Sequence, residues 1–592
     1  MERVLTKATA RIGAAAQVAG RRRLTLQVVA GTIAFGLGFW GWTLQSPPHD
    51  ASGWLNNFFR TIQLITLHFP NEFDGSMPWQ LQIGRLAVPL VAFLASFDVV
   101  LGAITRPVRL AALPLTRDHL VFFGMPRLTD AAMRNLLARG HRLVFVQPAL
   151  QGPRLDVLEG IGATVVDVDP FRPGLFGELG LAKARAVFVA TGNDADNANL
   201  AILAIEAMAE GGPRSQLPIL AVEFERDDLA RELGAVVDAS ARNRAVRFHR
   251  LSPDREGLSL ELGRRPEVVA PTVVGGPPHA LVLGLRGGWE QVLSRLIVAL
   301  QTRADISPVL SLVLDDDESR AFGTWARQRP DLPLVVEVEI LARGVDPLGD
   351  AAAEVAWRER TPPPGIAVVM REDAEGLATA MALDRHADRL RTARTPVLVR
   401  QSREDRILER LCLATEEGVA TAPARIPFGG LLREETIDRL LDPASETLPI
   451  ALHARYLAAA ETLGAGSAAA LAAWEALPET LRDADRAAAD HLAFLPVVIG
   501  RPLPADPADL TAEELEQLAR AEHRRWCADR IDRGWRWGER RDDATRRHPS
   551  LVPWDRLSEA DRQKDRNAVE TLVAVGGGAR RADPGRGGAE RS

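Results

Sequence analysis

Cysteine is scarce in this chain. Only two of its 592 residues are cysteines, Cys412 and Cys527. A disulfide framework and a cysteine-rich zinc site both need more thiols than this, so the sequence excludes both. The scarcity also fits a protein whose polar part lies in a reducing compartment such as the cytoplasm.

The short motifs that signal catalysis are missing as well. The sequence has no nucleophile elbow, no Walker loop, no paired-histidine metalloprotease helix and no CxxC pair. His523 and His548 form the one histidine pairing worth considering, and it lacks a third metal ligand. A net charge of −6 argues against a nucleic-acid-binding protein. We therefore expect neither an enzyme nor a metal site, and the sequence identifies no cofactor.

Charge is absent from one long apolar stretch and sparse in another. Leu24–Leu44 contains no Asp, Glu, Lys or Arg, and Ile83–Ile104 has an uncharged core. Each is long enough to cross a bilayer as a helix, which takes about 20 mainly apolar residues. A cleaved signal peptide is the competing interpretation of the first stretch, but it needs a shorter apolar core and a small-residue cleavage site. The sequence predicts a two-span membrane unit over residues 24–110.

Basic residues flank the outer ends of both stretches. Arg21, Arg22 and Arg23 precede the first, and Arg106 and Arg109 follow the second. The positive-inside rule then places both chain ends, including residues 1–23, in the cytoplasm. We expect a multi-pass protein of the cell membrane, in contact with the lipid bilayer.

The loop between the two stretches predicts a short re-entrant helix over residues 54–67. Span, re-entrant helix and span together resemble the pore unit of potassium-channel-like proteins, which implies ions as partners. The Thr-Val-Gly-Tyr-Gly filter of those channels is absent, because residues 64–71 read Leu-Ile-Thr-Leu-His-Phe-Pro-Asn. Asp98 faces either a pore or the hydrated cytoplasmic interface. The candidate pore residues are Thr61, Thr66, Glu72, Asp74 and Asp98.

Residues 117–250 alternate between strand and helix patterns, which predicts an α/β domain with a parallel, doubly wound sheet. The run from Gly180 to Asn197 resembles the RCK (TrkA-N) regulatory domains of potassium channels and transporters. The first turn departs from a dinucleotide fingerprint, which needs glycines. It reads Gly124-Met125-Pro126-Arg127-Leu128-Thr129. An RCK fold without a bound dinucleotide is favoured, with Gly124 and Arg127 as weak candidates for anion contact.

A second Rossmann-like pattern covers residues 278–402, and tandem units of this kind resemble channels with two RCK domains. Its first turn keeps glycines at Gly284, Gly287 and Gly288. An acidic run that begins at Asp315 follows the second strand. This run could hold a ribose or a divalent cation, or it could be a solvated turn, which is the commoner case.

Two helical segments near the C-terminus share residue types at matching spacings, which indicates an internal duplication. We define the first repeat as residues 446–500 and the second repeat as residues 508–575. Residues 576–592 are rich in Gly, Arg and Asp and are expected to be disordered. The shared residues are His453, Tyr456, Trp474, Leu477, Asp485 and Arg486 in the first repeat, and His523, Trp526, Trp554, Leu557, Asp565 and Arg566 in the second.

The second repeat resembles the ryanodine-receptor repeat (RyR) domain, a small helical module. Its Gly-Trp-Arg-Trp-Gly segment, residues 534–538, and its His-Pro segment, residues 548–549, carry the resemblance. Aromatic walls beside charged groups could hold a planar, charged ligand. The alternative is that the tryptophans fill the small core, as most of them are expected to do. The candidate ligand-binding residues are Trp526, Trp535, Trp537, Arg540, Arg541, Asp542, His548 and Trp554.

Taken together, these resemblances imply a ligand-gated cation channel, or a channel-like membrane protein, that forms a homotetramer. Its cytoplasmic RCK-like and RyR domains would sense a small, nucleotide-like ligand. The alternative is a non-conducting membrane sensor or scaffold, or a membrane-disrupting effector that a signal nucleotide triggers.

Overall fold

The computed structural model describes most of the chain, and contacts within it define two compact units. The units are residues 1–121 with 134–184 and residues 122–133 with 185–592. The described residues are 29–66, 77–124, 128–148, 157–158, 160–211, 216–225, 229, 232–233, 236, 246–342, 348–350, 361–402, 425–463 and 471–582.

The N-terminal region is helical. Helix α1 covers residues 29–45, α2 covers Ala51–Gln63 with a 3-10 turn at Leu64–Thr66, and α3 covers Trp79–Ala111. Helix α2 agrees with the helix predicted between the two apolar stretches. Within the described ranges, no helix combines the length and apolar character that crossing a bilayer requires.

The structure describes two of the five candidate pore residues with their side chains, Thr61 and Thr66. The buried Thr61 hydroxyl donates to the Asn57 carbonyl oxygen at 2.8 Å, and the exposed Thr66 hydroxyl donates to the Gln63 carbonyl oxygen at 2.9 Å. Both threonines therefore bond within their own helical segment. Glu72, Asp74 and the side chain of Asp98 lie outside the described residues.

The first α/β region forms a six-stranded sheet of order β3-β2-β1-β4-β5-β6, in which the pairs β2–β3, β4–β5 and β5–β6 run parallel. Gly124 ends β1 with φ of 80°, and a Cβ there would lie 2.2 Å from the Ala190 carbonyl oxygen. The close approach of the backbone at Ala190 is therefore sufficient to explain why residue 124 is a glycine. Arg127, the other candidate for anion contact, lies outside the described residues. The strands are β1 Leu120–Gly124, β2 Leu143–Val146, β3 Thr164–Val166, β4 Ala186–Ala190, β5 Ile219–Glu223 and β6 Arg247–Leu251.

The second α/β region repeats this topology within the second unit. Its parallel sheet has the order β12-β11-β10-β7-β8-β9, so the strand order reverses between β10 and β7. Ligands of doubly wound sheets bind at that reversal, beyond the carboxyl ends of the strands. The strands are β7 His279–Leu283, β8 Val309–Val313, β9 Glu337–Ala342, β10 Ile366–Val369, β11 Val397–Arg400 and β12 Arg425–Phe428.

Helices connect these strands, and the C-terminal region is built almost wholly of helices. Those between strands are α4 Asp130–Ala138, α5 Leu175–Glu178, α6 Asp194–Ala209, α7 Pro253–Arg264, α8 Trp289–Ala299, α9 Asp316–Arg327, α10 Asp373–Arg385 and α11 Ala387–Leu390. Those that follow are α12 Glu434–Leu441, α13 Thr447–Leu463, α14 Glu479–His491, α15 Leu495–Ile499, α16 Ala512–Asp532 and α17 Glu559–Ala582. A two-residue ribbon, β13 Arg536–Trp537 with β14 Arg547–His548, lies between α16 and α17.

Three details differ from the sequence interpretation. Each sheet has a sixth strand, β6 and β12, that the hydrophobic pattern did not reveal, because both strands mix charged and apolar residues. The apolar pattern predicts a strand over Leu334–Ile340, but strand β9 begins at Glu337, because a 3-10 turn occupies Leu332–Leu334. Helix α17 continues past Gly576 to Ala582, so the first part of the expected disordered tail is helical.

Candidate functional site

Two arginines fill the glycine-rich turn that follows β7. Gly284 and Gly287 have φ angles of 79° and 59°. A Cβ at Gly284 would lie 2.3 Å from Nε of Arg371, and a Cβ at Gly287 would lie 2.3 Å from Nη2 of Arg400. The turn needs glycine because these two guanidinium groups occupy the adjoining space.

A buried carboxylate of the chain itself accepts the N–H groups at this turn. Asp254 accepts from the backbone N–H of Gly288 at 2.9 Å and from that of Gly430 at 2.6 Å, and it pairs with Nε of Arg400 at 2.9 Å. Asp254 and Arg400 are 3% and 2% exposed. In dinucleotide-binding Rossmann folds the pyrophosphate lies here, at the start of the helix. The turn of the second sheet therefore does not fit a dinucleotide.

Asp315, the candidate ribose or cation ligand, caps helix α9. Its carboxylate accepts the backbone N–H of Glu318 at 2.8 Å, and the Glu318 carboxylate accepts the backbone N–H of Asp315 at 2.9 Å. This reciprocal pair is a capping box. Glu318 also pairs with Nη1 of Arg371 at 2.9 Å and accepts the Leu285 N–H at 3.1 Å. The carboxylates of Asp315 and Glu318 are therefore engaged in contacts that stabilise the fold.

The second repeat builds a compact cluster around His523. Nδ1 of His523 lies 3.2 Å from Oδ2 of Asp565, and Nε2 lies 2.8 Å from the Val552 carbonyl oxygen. The imidazole stacks on Trp526 with ring centroids 5.9 Å apart and planes inclined by 21°. Trp554 meets the same imidazole edge-on at 5.8 Å.

The first repeat builds an equivalent cluster around His453. Nδ1 lies 3.5 Å from Oδ2 of Asp485, and Nε2 lies 2.8 Å from the Ala472 carbonyl oxygen. The imidazole stacks on Tyr456 at 6.2 Å and 23°, and Trp474 lies 5.9 Å away. Corresponding residues therefore make the same contacts in both repeats, although ten more residues separate His523 from Trp554 than separate His453 from Trp474.

An ion pair is duplicated in the same way. Nε of Arg486 lies 2.9 Å from Glu446, and Nε of Arg566 lies 3.0 Å from Glu516. The first ion pair connects the 3-10 turn before α13 to α14, and the second connects α16 to α17. The duplication inferred from the sequence is thus visible in the side-chain geometry.

A cavity of about 900 Å³ is lined by both repeats. We call it the inter-repeat cavity. The first repeat contributes His453, Tyr456 and Asp485, and the second contributes His523, Trp526, Arg530, His548 and Asp565. One aromatic ring from each repeat, Tyr456 and Trp526, therefore stands at equivalent positions in a single concave site.

The second repeat also corresponds to a known domain family. Residues 507–576 match the RyR domain family model. The match includes the whole of the second repeat, so the RyR domain supplies one wall of the inter-repeat cavity. The first repeat contributes the other wall with a shorter version of the same cluster.

Solved structures similar to the chain include those of the GsuK channel. One has 15% sequence identity and a TM-score of 0.35, over 73% of this chain and 97% of that chain. GsuK bound to ADP has 16% identity and a TM-score of 0.34, over 73% and 98%. The GsuK RCK domain has 15% identity and a TM-score of 0.29, over 56% and 77%.

Half of the candidate ligand-binding residues line the inter-repeat cavity. They are Trp526, Arg541, Asp542 and His548. Arg541 pairs with Asp543 at 2.8 Å, and hydrogen bonds from Thr545 and Ala544 lower the pKa of Asp542. The Asp542 carboxylate therefore stabilises the turn formed by residues 542–545 through these hydrogen bonds.

The other four candidates lie elsewhere in the RyR domain. Trp554 is 7% exposed, packs in the core and donates its indole N–H to Glu516 at 3.0 Å. Trp535 packs against the core of the second sheet and meets His548 edge-on at 6.0 Å. Trp537 is 45% exposed, and Arg540 is also exposed.

The candidate residues taken from the sequence omitted important members of the cavity wall, among them Tyr456, Arg525 and Arg530. Two signals were available in the sequence. His523, Trp526 and Arg530 are spaced as one face of a helix, and Tyr456 has the position in the first repeat that Trp526 has in the second. Only the folded chain shows that the two repeats enclose one space.

Each ring nitrogen of the two repeat histidines faces an acceptor, an arrangement that favours the protonated imidazole. Burial lowers the pKa of His523, but hydrogen bonds with Asp565 and Cys527 outweigh it and raise the pKa to about 10. For His453 burial also lowers the pKa, and Asp485 and the Ala472 carbonyl raise it overall. Cys527 is buried outside the cavity wall, so this arrangement does not present a nucleophile there.

We predict a pH dependence of stability from His523. Since its folded pKa is above the unfolded value of 6.5, the stabilisation is complete below pH 6.5 and is lost as pH rises towards 10. Thermal unfolding of the full chain from pH 6 to 10 should show a loss of about 2–4 kcal/mol from this group. Asp565→Asn should be less stable at pH 6 and should flatten the profile, and an equally steep profile in that variant would contradict the assignment.

Proposed function

We propose that the inter-repeat cavity binds a small planar ligand, and that binding regulates a channel-like membrane protein. The role is regulatory rather than enzymatic. The observation that carries the proposal is the cavity of about 900 Å³ with one aromatic ring from each repeat in its wall. This volume lies in the usual range of small-molecule sites.

The wall of the cavity suits a flat ring with polar substituents. Trp526 is held by the His523 stack on one side and by the edge of His548 at 4.9 Å. Tyr456 is 39% exposed, so much of its ring is free to meet a ligand. Aromatic side chains that are fixed in this manner bind planar groups at little entropic cost.

Helix α16 connects the cavity to the second sheet. One face carries His523, Trp526 and Arg530 into the cavity wall, and the opposite face packs into the core beneath the second sheet through Cys527, Ala528 and Ile531. Such a two-faced helix supports transmission of ligand occupancy. A ligand shifts the equilibrium only if it binds one state more tightly than the other.

Polar contacts anchor this face of α16 to the second sheet. Asp532 accepts a hydrogen bond from the Ser294 hydroxyl of helix α8. Arg524 donates to Gln301 at 3.1 Å and to Ser307 at 3.1 Å. A movement of α16 on ligand binding would therefore displace α8 or break these bonds.

The membrane part of the proposal rests on the sequence. Its support is the two apolar stretches, 24–44 and 83–104, with the basic residues outside them. We propose two spans in the cell membrane, cytoplasmic ends, a homotetramer and a pore for cations. The RCK-like sheets and the RyR domain would then form the regulatory part on the cytoplasmic side.

We predict that Trp526→Ala strongly reduces the stabilisation that a planar ligand gives to the purified full chain at a fixed ligand concentration. Nucleobases, nucleosides, nucleotides and dinucleotides would be screened by thermal shift, because a ligand that binds the folded state raises its stability by mass action. Loss of one stacking ring should weaken the best ligand about 10- to 100-fold. Trp537→Ala is the matched control and should bind like the wild type, since this exposed tryptophan lies outside the cavity wall.

The same proteins, reconstituted in liposomes, test the membrane part. A ligand found in the screen should change cation flux through the wild type and through Trp537→Ala, but not through Trp526→Ala. Ligand binding without flux would indicate a non-conducting sensor, and indiscriminate leakage would indicate a membrane-disrupting effector. Absence of binding by every planar compound would overturn the proposed site.

A further inference from the structure

One cation of the inter-repeat cavity, Arg530, forms no ion pair with a carboxylate in the described part of the chain. The Arg530 guanidinium lies between two indole rings, 5.7 Å from the centroid of Trp526 and 5.5 Å from that of Trp535. Among the residues that the structure describes, no carboxylate forms an ion pair with it, and the neighbouring Asp529 pairs with Arg533 at 3.0 Å. Burial lowers the pKa of Arg530 to about 10, which still leaves it charged at neutral pH.

A second arginine in the wall has an unused donor. Arg525 is 2% exposed and lines the cavity. Its Nε and Nη2 donate to Glu522 at 2.8 Å and 2.7 Å, whereas its Nη1 has no hydrogen-bond partner in the described part of the chain. Buried guanidinium nitrogens are normally paired, so an unpaired one beside a cavity indicates a missing acceptor.

The carboxylates of the cavity wall are already engaged. Asp485 and Asp565 pair with His453 and His523, and Asp543 pairs with Arg541. Asp561 accepts from Lys564 at 2.8 Å, and both oxygens of Asp542 accept bonds within its own turn. The wall therefore offers an unpaired cation, Arg530, while these carboxylates already have partners within the protein.

His548 adds a neutral donor near Arg530. Burial and the charges of Arg541 and Arg530 lower its pKa to about 4, so the ring is neutral at pH 7. Its Nδ1 accepts the Ser550 N–H at 3.1 Å, which places the proton on Nε2. This N–H is suited to an oxygen acceptor of a ligand.

From these contacts we infer that the ligand of the inter-repeat cavity is an aromatic oxyanion of the nucleoside phosphate class. This inference rests on the proposed function and specifies its ligand. The oxyanion binds Arg530, with Arg525 and His548 as further donors, and the ring lies against Trp526. Charge-assisted bonds from a guanidinium to phosphate are among the strongest that proteins make.

The charge in the wall also fixes the orientation of the ligand. Both repeats supply a ring platform, but the position in the first repeat that corresponds to Arg530 is Ala460. The Arg530 contact is therefore supplied by the RyR domain, and the phosphate end of the ligand faces that domain.

The test compares ligands that share a ring and differ in charge. Binding of adenosine, AMP and ADP, and of guanosine, GMP and GDP, would be measured by calorimetry on the purified full chain. We expect the phosphorylated member of at least one series to bind at least about 10-fold more tightly than its nucleoside. In Arg530→Gln that preference should fall to about 3-fold or less, while nucleoside affinity stays near the wild-type value.

Arg540→Gln is the matched control, because Arg540 is an exposed arginine outside the cavity wall. It should keep the wild-type preference, and each variant's thermal unfolding without ligand would show that it is folded. Equal affinity for nucleoside and nucleotide would overturn the anion inference but leave the planar-ligand site intact. A preference that persists in Arg530→Gln would overturn the role of Arg530, and absence of binding by all six compounds would overturn the assigned class.

Discussion

Replacement of Asp254 by alanine is expected to lower the free energy of unfolding by about 3–5 kcal/mol. Asp254 is buried, and its loss would leave the equally buried Arg400 without its 2.9 Å partner. The backbone N–H groups of Gly288 and Gly430 would lose their acceptor at the same time. Thermal and denaturant unfolding of the full chain, followed by tryptophan fluorescence, would measure the change.

Glu372→Gln is the control for this prediction. Glu372 also pairs with Arg400, at 3.5 Å, but its side chain is 60% exposed. An exposed ion pair contributes about 0–1 kcal/mol, so this variant should stay close to the wild type. If Asp254→Ala were no less stable than Glu372→Gln, the carboxylate would not hold the turn of the second sheet as described.

Trp554→Ala is expected to destabilise the RyR domain by about 3–5 kcal/mol, which is the usual cost of removing a buried tryptophan. Trp554 packs with Ala519, Val552 and Leu557, and its N–H bonds to Glu516. Because it lies outside the cavity wall, ligand affinity should change only to the extent that the domain unfolds. Thermal unfolding and calorimetry at a temperature where the variant is folded would separate the two effects.

The duplicated tryptophan gives a matched comparison. Trp474 has the equivalent position in the first repeat but is only half-buried. Trp474→Ala should therefore lower the free energy of unfolding by less than Trp554→Ala does. Equal costs would show that burial of the indole does not determine the difference between the two repeats.

Much of the fold could be predicted from local patterns. Apolar runs such as 143–146 and 309–313 are buried strands, and the alternation with helices predicts a parallel sheet. The edge strands β6 and β12 were not found, because Arg247–Leu251 and Arg425–Phe428 mix charged and apolar residues. These two strands are recognised by their pairing with β5 and β11 rather than by the residue pattern of their own segments.

The candidate site was predicted less completely. Residue types identified the RyR domain and four of its cavity residues, but not which tryptophans would be core. Trp526 and Trp554 belong to the same cluster around His523, yet one lines the cavity and the other is buried. Spacing along the chain does not encode this difference, because it depends on how α16 and α17 pack against the first repeat.

Local sequence patterns were sufficient to predict the alternation of the central strands and helices, the turns that need glycine, and the duplication of the C-terminal repeats. These features follow from local periodicity, backbone conformation and matching residue types, all of which are written along the chain. Which charges are paired and which face the cavity depends on contacts between distant parts of the chain. Asp254 and Arg400 are 146 residues apart in sequence and pair in the turn of the second sheet, whereas Arg530 pairs with no described carboxylate and faces the inter-repeat cavity.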